Sequence, residues 1–328
     1  MSFQEEYRLI TESVGTKKLP ASVLSLSGKD VLDFIQRLST NDVLTVKEGT
    51  SELTILVSDK AKIIDCITLL NRGNDYLLIP ESGDANKVHL WLDKFLFTED
   101  VQMLNISSEY EHWIVVGKDV PEWLKSKFNI EIQDQPKLFT STIVDEKNCI
   151  IYKDLLWNDN VFHLLIERNE GKILLNDTIA DVGLETLRIE NSVPKYGYEL
   201  TEQVNPLEAG LERFISWTKG CYIGQEVIAR IDTYKKLQRK LTSFIIEGNA
   251  QSIKPGKIVS NSEEVGWTTS HTWSPKLQKH IALGYLKLHA LTETLQFKND
   301  DIESVAITIK EDFTKPFYCH SESPVSSG

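Results

Sequence analysis

The chain has 328 residues, of which 41% are hydrophobic, and its 48 acidic and 36 basic side chains give a formal net charge of −12. This length exceeds what one hydrophobic core usually organises, so two or three domains are expected. The negative charge argues against attraction of the whole protein to nucleic acid or to an anionic membrane, and an anionic ligand would need a local basic patch.

The cysteines and the N-terminus indicate a reducing compartment. Cys66, Cys149, Cys221 and Cys319 are scattered and form no Cys-x-x-Cys pair, so neither a metal site nor a disulfide framework is expected. Free thiols fit a cytoplasmic protein. No run of 18 apolar residues is present and the N-terminus is acidic, so a membrane span and a signal peptide are not expected.

The first half of the chain predicts a small sheet with helices against it. Apolar spacing predicts a helix at 31–38, and alternating runs predict an antiparallel meander of strands at 53–57, 62–70 and 76–79. A helix at 84–96 is expected to cover one face of this sheet. Further strands are predicted at 101–106, 113–116, 143–152 and 161–166. A helix that starts at Pro121 is predicted at 121–128.

The second half predicts a helix, a long loop and a β-rich end. Residues 181–190 have helical spacing, and the polar stretch 194–206 contains two prolines and a glycine. Loops of that length in compact domains are usually functional or disordered, and the tyrosines of this one favour function. Short strands dominate after residue 241 and indicate a β-barrel or sandwich. Residues 321–328 are expected to form a flexible tail.

The densest chemistry lies at residues 219–226, Lys-Gly-Cys-Tyr-Ile-Gly-Gln-Glu. Gly220 and Gly224 allow sharp bends on either side of Cys221, and the residues after Gly224 have the spacing of a short helix. The helix N-terminus and the ammonium of Lys219 would both stabilise a thiolate, the reactive form of cysteine. A buried cysteine beside an ordinary turn is the competing interpretation.

The same eight residues resemble the defining motif of the YgfZ-type folate-binding proteins. These proteins are implicated in iron–sulfur cluster assembly and repair, and they are related to the glycine-cleavage T-protein, an aminomethyltransferase. Other segments resemble that superfamily along nearly the whole chain, namely 28–42, 187–190, 196–200, 205–211 and 282–285. The resemblance implies an α+β fold of three lobes in a ring, with ferredoxin-like lobes, a C-terminal β-barrel and tetrahydrofolate as the cofactor in a central channel.

The resemblance also implies domain boundaries. Residues 1–50 with 141–235 would form a discontinuous central folate-binding lobe, and residues 51–140 a second α+β lobe. Residues 236–320 would form the C-terminal β-barrel, followed by the tail at 321–328.

One candidate catalytic residue comes from the resemblance. In the aminomethyltransferases a Gly-Gly-Ile-Ile-Asp-Asp type segment carries a catalytic aspartate, and residues 61–66 match it here as Ala-Lys-Ile-Ile-Asp-Cys. Cys66 replaces the second aspartate, which argues against transferase chemistry. Asp65 could act as a base, although a strand residue facing solvent is the competing interpretation.

Candidate folate-binding residues lie in and after the loop. A pterin needs a carboxylate for its donor edge and apolar or aromatic walls. The candidates in this loop are Tyr196, Tyr198, Glu199, Glu202 and Glu208, and the resemblance favours Tyr196 and Glu202. Arg230 and Arg239, in a basic cluster, would receive the carboxylates at the other end of the folate. A solvated acidic loop and a solvated helix face are the competing interpretations.

Two functions follow. The first is a tetrahydrofolate-binding protein of iron–sulfur cluster assembly or repair, with Cys221 reactive and Lys219 beside it, and with iron–sulfur client or assembly proteins as partners. The second is a folate-dependent aminomethyltransferase or related one-carbon transfer enzyme with Asp65 as general base. Cys66 in place of an aspartate and the intact Lys-Gly-Cys motif favour the first.

Overall fold

The computed structural model describes residues 2–132, 137–144, 147–157, 160–168, 175–176, 178–247, 254–302 and 304–310. The predicted tail at 321–328 and Cys319 lie outside the described residues. Within them the chain forms two five-stranded sheets, a closed six-stranded barrel and six α-helices. The predicted α+β fold with a C-terminal barrel is therefore confirmed.

The helices are short and amphipathic, and each packs its apolar face on a sheet, a helix or the barrel. They are α1 (Phe3–Glu12), α2 (Val31–Leu38), α3 (Ala85–Asp93), α4 (Val120–Phe128), α5 (Asp181–Glu190) and α6 (Gln225–Thr233). Helix α1 was not predicted, although Ser2 and Glu5 form a capping box at its start. Helices α2 and α5 have the bounds that the apolar spacing predicted.

The first sheet contains the predicted meander and has the strand order β3-β4-β5-β2-β6. Its members are β2 (Leu24–Ser27), β3 (Ser51–Val57), β4 (Ile63–Asn71), β5 (Tyr76–Pro80) and β6 (Gln102–Asn105). Helices α2 and α3 cover one face, where Phe34 and Val88 join a core with Ile67 and Leu69. The other face turns towards the second sheet.

The second sheet has the strand order β1-β7-β10-β9-β8. Its members are β1 (Gly15–Leu19), β7 (Tyr110–Val116), β8 (Thr140–Val144), β9 (Lys147–Lys153) and β10 (Val161–Glu167). Helix α4 covers its outer face through Val120 and Leu124. Tyr152 and Leu165 on the inner face pack with Leu77 of the first sheet, so the two sheets meet face to face.

The strand pairing groups the chain differently from the predicted lobes. Strand β2 pairs with β5 and β6, although it belongs to the predicted lobe of 1–50 with 141–235. Strand β7 pairs with β1 and β10, although it belongs to the predicted lobe of 51–140. The domain boundaries themselves stay a prediction.

The barrel closes in the order β11-β14-β13-β12-β15-β16. Its strands are β11 (Arg239–Ile246), β12 (Lys257–Ser260), β13 (Glu263–Ser274), β14 (Lys279–Lys287), β15 (Leu295–Lys298) and β16 (Val305–Ile309). Phe244 and Phe297 fill its core without exposure to solvent. Helix α5 packs on β13, and its residue Thr186 hydrogen bonds to Thr272 across that contact.

Candidate functional site

A cavity of about 360 Å³ lies between the inner faces of the two sheets, with helix α5 and residues 193–195 along one side. Its walls include Leu53 and Cys66 from the first sheet and Ile114 and Tyr152 from the second. Ligand pockets have volumes of roughly 300–1,000 Å³, so the cavity is large enough for a small ligand. We call it the central cavity.

The walls of the central cavity combine aromatic and ionisable side chains. Tyr152 and Trp157 supply aromatic surface. Besides Cys66 and Tyr152, the ionisable groups of the lining are Glu81, Asp154, Asp181, Glu185, His112, His163, Arg188 and Lys195. In the described part of the chain, no three His, Cys, Asp or Glu side chains are placed together to hold a metal ion.

Asp65 is fully buried, so the interpretation as a strand residue facing solvent is wrong. Its Oδ1 accepts a hydrogen bond of 3.1 Å from the Ser82 backbone N–H, and its Oδ2 has no partner among the described residues. Burial raises the pKa of Asp65 to about 6. A base of that strength suits proton transfer, but Asp65 does not line the central cavity.

The register of β3 against β4 decides which residue enters the cavity. Asp65 lies opposite Leu56, which belongs to the core under the helices, and Cys66 lies opposite Ile55, which belongs to the core on the inner face. Successive side chains of a strand point to opposite faces. Cys66 therefore lines the central cavity, and burial raises the pKa of its thiol well above the usual range.

Tyr196 and Glu202 come together around Lys87, which the sequence did not single out. The Lys87 ammonium donates to the Ile64 carbonyl at 2.6 Å and to the Tyr196 hydroxyl. It lies 4.2 Å from the centre of the Tyr196 ring and 3.9 Å from Oε1 of Glu202. Neither Tyr196 nor Glu202 lines the central cavity, and the Glu202 side chain is 62% exposed.

Glu199 is a buried structural carboxylate. Its Oε2 accepts from Arg188 Nη1 at 2.9 Å and from the Lys195 backbone N–H at 3.0 Å. Its Oε1 accepts from the hydroxyls of Thr269 and Ser270 on β13. Protein donors therefore bind both oxygens, and the contact between Glu199 and folate stays a prediction. The side chain ties the loop to α5 and to the barrel.

The two predicted partners of the folate carboxylates are not at the cavity. Arg239 donates from Nε to Glu208 at 2.9 Å, and its guanidinium lies 4.8 Å from the ring of Trp267. Arg230 is on the surface of α6, 64% exposed, and pairs with Glu226 one turn away. These contacts give Arg239 a structural role and leave Arg230 on the surface.

The Lys-Gly-Cys motif precedes α6, as predicted, and Cys221 is exposed. Gly224 adopts a φ of +77° at the N-cap, where an added Cβ would lie 2.5 Å from the Ser58 carbonyl oxygen. Gly220 has open space around it and no positive φ. The chain therefore requires glycine at 224, which fits the predicted bend there.

The Lys219 ammonium binds the protein instead of the thiol. It donates to three backbone carbonyls at the end of α2, those of Gln36, Ser39 and Asn41, at 2.7, 2.7 and 2.6 Å. Cations at the C-terminal end of a helix are stabilising. Burial lowers the pKa of Lys219 to about 8. Lys219 therefore anchors the motif to α2, which is a different role from the predicted priming of Cys221.

Two family models match the sequence. The "GCVT N-terminal domain" matches residues 2–148, and the "Glycine cleavage T-protein C-terminal barrel domain" matches residues 239–318. Together they span more than half of the chain. The chain belongs to the glycine cleavage T-protein superfamily.

Relatives within the T-protein superfamily match over nearly the full length. An aminomethyltransferase of Alkaliphilus oremlandii is 26% identical over 91% of this chain and 84% of its own length. One of Bacillus cytotoxicus is 25% identical over 98% of this chain and 91% of its own length.

A solved structure shares the fold of this T-protein superfamily member. The glycine cleavage system aminomethyltransferase T of Bartonella henselae has a TM-score of 0.77 at 16% identity, covering 94% of this chain and 88% of that one. The predicted aminomethyltransferase-type fold is confirmed. The finer YgfZ-type assignment rests on the sequence motif and stays a prediction. No α-helix of the described residues has the length and apolar character to span a bilayer.

Proposed function

We propose that this chain binds tetrahydrofolate in the central cavity and acts as a folate-dependent aminomethyl or one-carbon transferase. The observation that carries the proposal is a cavity of about 360 Å³ between the two sheets. It lies in a fold shared with an aminomethyltransferase at a TM-score of 0.77. The relatives named aminomethyltransferase match over most of their own length, which supports the same class of reaction.

The residues of the central cavity fit a reduced pteridine. Ile114, Tyr152 and Trp157 provide apolar and aromatic surface for a flat ring, and Glu81 provides a carboxyl group for its donor edge. Tetrahydrofolate would supply the nitrogen that takes up the one-carbon unit. The chain's own part is to orient the ring between the two sheets and to exclude water from it.

Cys66 limits the acid–base chemistry available in the cavity. It lines the wall where the resembling segment of the aminomethyltransferases has its second aspartate, and burial keeps its thiol in the neutral form. A neutral thiol is a weak base at neutral pH, and general base catalysis is typically worth about 10²- to 10⁴-fold in rate. Turnover is therefore expected to be slow.

The test is tetrahydrofolate-dependent release of ammonia from an aminomethyl-lipoyl carrier protein. We expect slow turnover by the wild type, an increase of at least about tenfold in Cys66→Asp, and little change in the matched control Cys66→Ser. Calorimetric titration with tetrahydrofolate accompanies the assay. The proposal is refuted if no variant binds tetrahydrofolate and none turns over.

The exposure of Cys221 supports a second function, tetrahydrofolate-dependent iron–sulfur cluster assembly or repair with iron–sulfur proteins as partners. Among the described cysteines, Cys66 and Cys149 are buried and Cys221 is exposed, so its thiol is accessible to another protein. The assay is recovery of an oxidised iron–sulfur enzyme with tetrahydrofolate present. Recovery that is lost in Cys221→Ala while folate binding persists would support this function, and equal recovery by both proteins would exclude a role for the thiol.

A further inference from the structure

A second cavity, of about 480 Å³, lies where α1, α5, the end of β7 and the barrel meet. Among the described residues, its lining and that of the central cavity have no member in common. Helix α5 contributes to both walls from different faces, since Glu185 and Arg188 line the central cavity whereas Leu187 and Glu190 line this one. We call it the lateral cavity. Its volume is within the range of small-molecule sites.

Glu190 joins three elements at the lateral cavity. Its Oε2 accepts from the hydroxyl of Tyr7 on α1 at 2.7 Å, and its Oε1 accepts from the hydroxyl of Ser274 at the end of β13. The Lys310 ammonium donates to the Glu190 carbonyl at 2.7 Å. Ser274 also accepts from the Leu277 N–H at 3.0 Å, which holds the turn between β13 and β14 beside the cavity. Both carboxylate oxygens of Glu190 therefore already have protein donors.

Three lysines give the lateral cavity a positive charge. Lys118, Lys276 and Lys310 line it, against the single carboxylate of Glu190, so the lining has two positive charges in excess. Lys118 and Lys276 are exposed, and in the part of the chain that the structure describes neither forms an ion pair with a carboxylate. The whole chain carries a net charge of −12. The lateral cavity is thus a local basic patch, to which a small anion is attracted.

Apolar side chains form the deeper wall of the lateral cavity. Ile10, Val116 and Leu187 line it and are buried, whereas Lys118 and Lys276 are exposed at its mouth. An apolar wall with a few polar groups that fix orientation is typical of small-molecule sites. This arrangement favours a ligand with an apolar body directed inwards and an anionic group directed outwards.

We propose that the lateral cavity is a second ligand site, which binds a small molecule with an apolar body and a phosphate or carboxylate group. The apolar body contacts Ile10, Val116 and Leu187. The ammonium groups of Lys118 and Lys276 donate to the anion, and hydrogen bonds between ionised partners are about twice as strong as neutral ones. The site is separate from the proposed folate site, and its test does not depend on folate binding.

Calorimetric titration of the full chain with phenyl phosphate, benzoate and benzyl alcohol tests the site. We expect at least one of the two anions to bind, and the tighter one identifies phosphate or carboxylate as the preferred group. Benzyl alcohol has the ring without the charge, and it should bind at least about tenfold more weakly than that anion. Binding of neither anion, or equal binding of the alcohol, would overturn the proposal.

Charge variants locate the bound anion. Lys118→Gln/Lys276→Gln should weaken binding of the preferred anion by at least about tenfold. The matched control is Lys47→Gln/Lys60→Gln, which removes the same charge from two exposed lysines outside both cavities and should bind like wild type. Equal weakening in the two double variants, or wild-type affinity in Lys118→Gln/Lys276→Gln, would overturn the assignment.

Two further measurements separate the lateral cavity from the central one. Thr11 lines the lateral cavity from α1, so Thr11→Trp should block binding while it leaves every charge in place; undiminished binding would overturn the proposal. Saturation with tetrahydrofolate should leave the affinity for the anion unchanged, whereas displacement of the anion would show that both ligands share one site. If tetrahydrofolate does not bind at all, the proposed function fails while the test of the lateral cavity stands.

Discussion

Replacing Glu199 by glutamine tests whether this loop carboxylate holds the fold together or binds folate. The side chain is fully buried, and it accepts from Arg188, from the Lys195 N–H and from two hydroxyls of β13. Glutamine keeps the shape but removes the charge and one acceptor oxygen. The guanidinium of Arg188 would then keep Glu185 as its carboxylate partner and lose the buried one.

The size of the effect follows from these contacts. Breaking a buried ion pair by removing one partner costs about 3–5 kcal/mol. The lower end applies here, because Glu185 continues to balance Arg188 and because the β13 hydroxyls can rotate to accept from the new amide. A loss of about 3 kcal/mol in the free energy of unfolding corresponds to a fall in Tm of about 6–12 °C, by the scaling for domains of 150–250 residues.

The assay is thermal unfolding together with calorimetric titration of tetrahydrofolate. Glu202→Gln is the control for thermal unfolding alone, since its side chain is 62% exposed and surface substitutions usually change stability by less than about 0.5 kcal/mol. An unchanged Tm in Glu199→Gln with loss of folate binding would refute the structural role. It would restore the contact with folate that the sequence predicted.

Three further predictions concern single side chains. Gly224→Ala should destabilise by about 1–3 kcal/mol in denaturant unfolding, because of its φ of +77°, whereas Gly220→Ala should change little. The pKa of Asp65 is about 6 in the folded protein and 3.8 ordinarily, so the folded state holds this proton more tightly. The free energy of unfolding should therefore fall by about 1.4 kcal/mol from pH 5 to pH 8, and this pH dependence should be absent in Asp65→Asn. Lys219→Met should destabilise by at least about 2 kcal/mol without slowing alkylation of Cys221; slower alkylation at unchanged stability would contradict this.

Local patterns in the sequence were sufficient for most of the fold. The apolar spacing of α2 and α5 predicted both helices, and the alternation of β3, β4 and β5 predicted the meander. Helix α1 was missed although its capping box is visible in the sequence. Strand β1 is a short polar segment, Gly-Thr-Lys-Lys-Leu, whose place in the sheet depends on pairing with the distant β7. Such long-range pairing leaves no local signal.

The site was harder to predict because ionisable side chains choose partners through tertiary contacts. The motif correctly indicated a bend and a following helix, but Lys219 binds carbonyls that lie about 180 residues earlier in the chain. The acidic loop suggested ligand contacts, yet Glu199 and Arg239 tie it to the helices and the barrel. Lys87 and Glu81 had no motif around them. Their positions at Tyr196 and in the cavity depend on packing between sequence-distant segments.

Alternation along β4 explains why the carboxyl group beside Cys66 in the cavity wall is that of Glu81 and not that of Asp65. The regular register of β3 against β4 places Asp65 opposite Leu56, so its carboxyl faces the helix side and the thiol of Cys66 faces the cavity. A shift of one residue in a strand exchanges its two faces. The end of β5 lies alongside, where the N–H of Glu81 binds the Cys66 carbonyl. Glu81 therefore lines the cavity beside Cys66, whereas the carboxyl group of Asp65 does not.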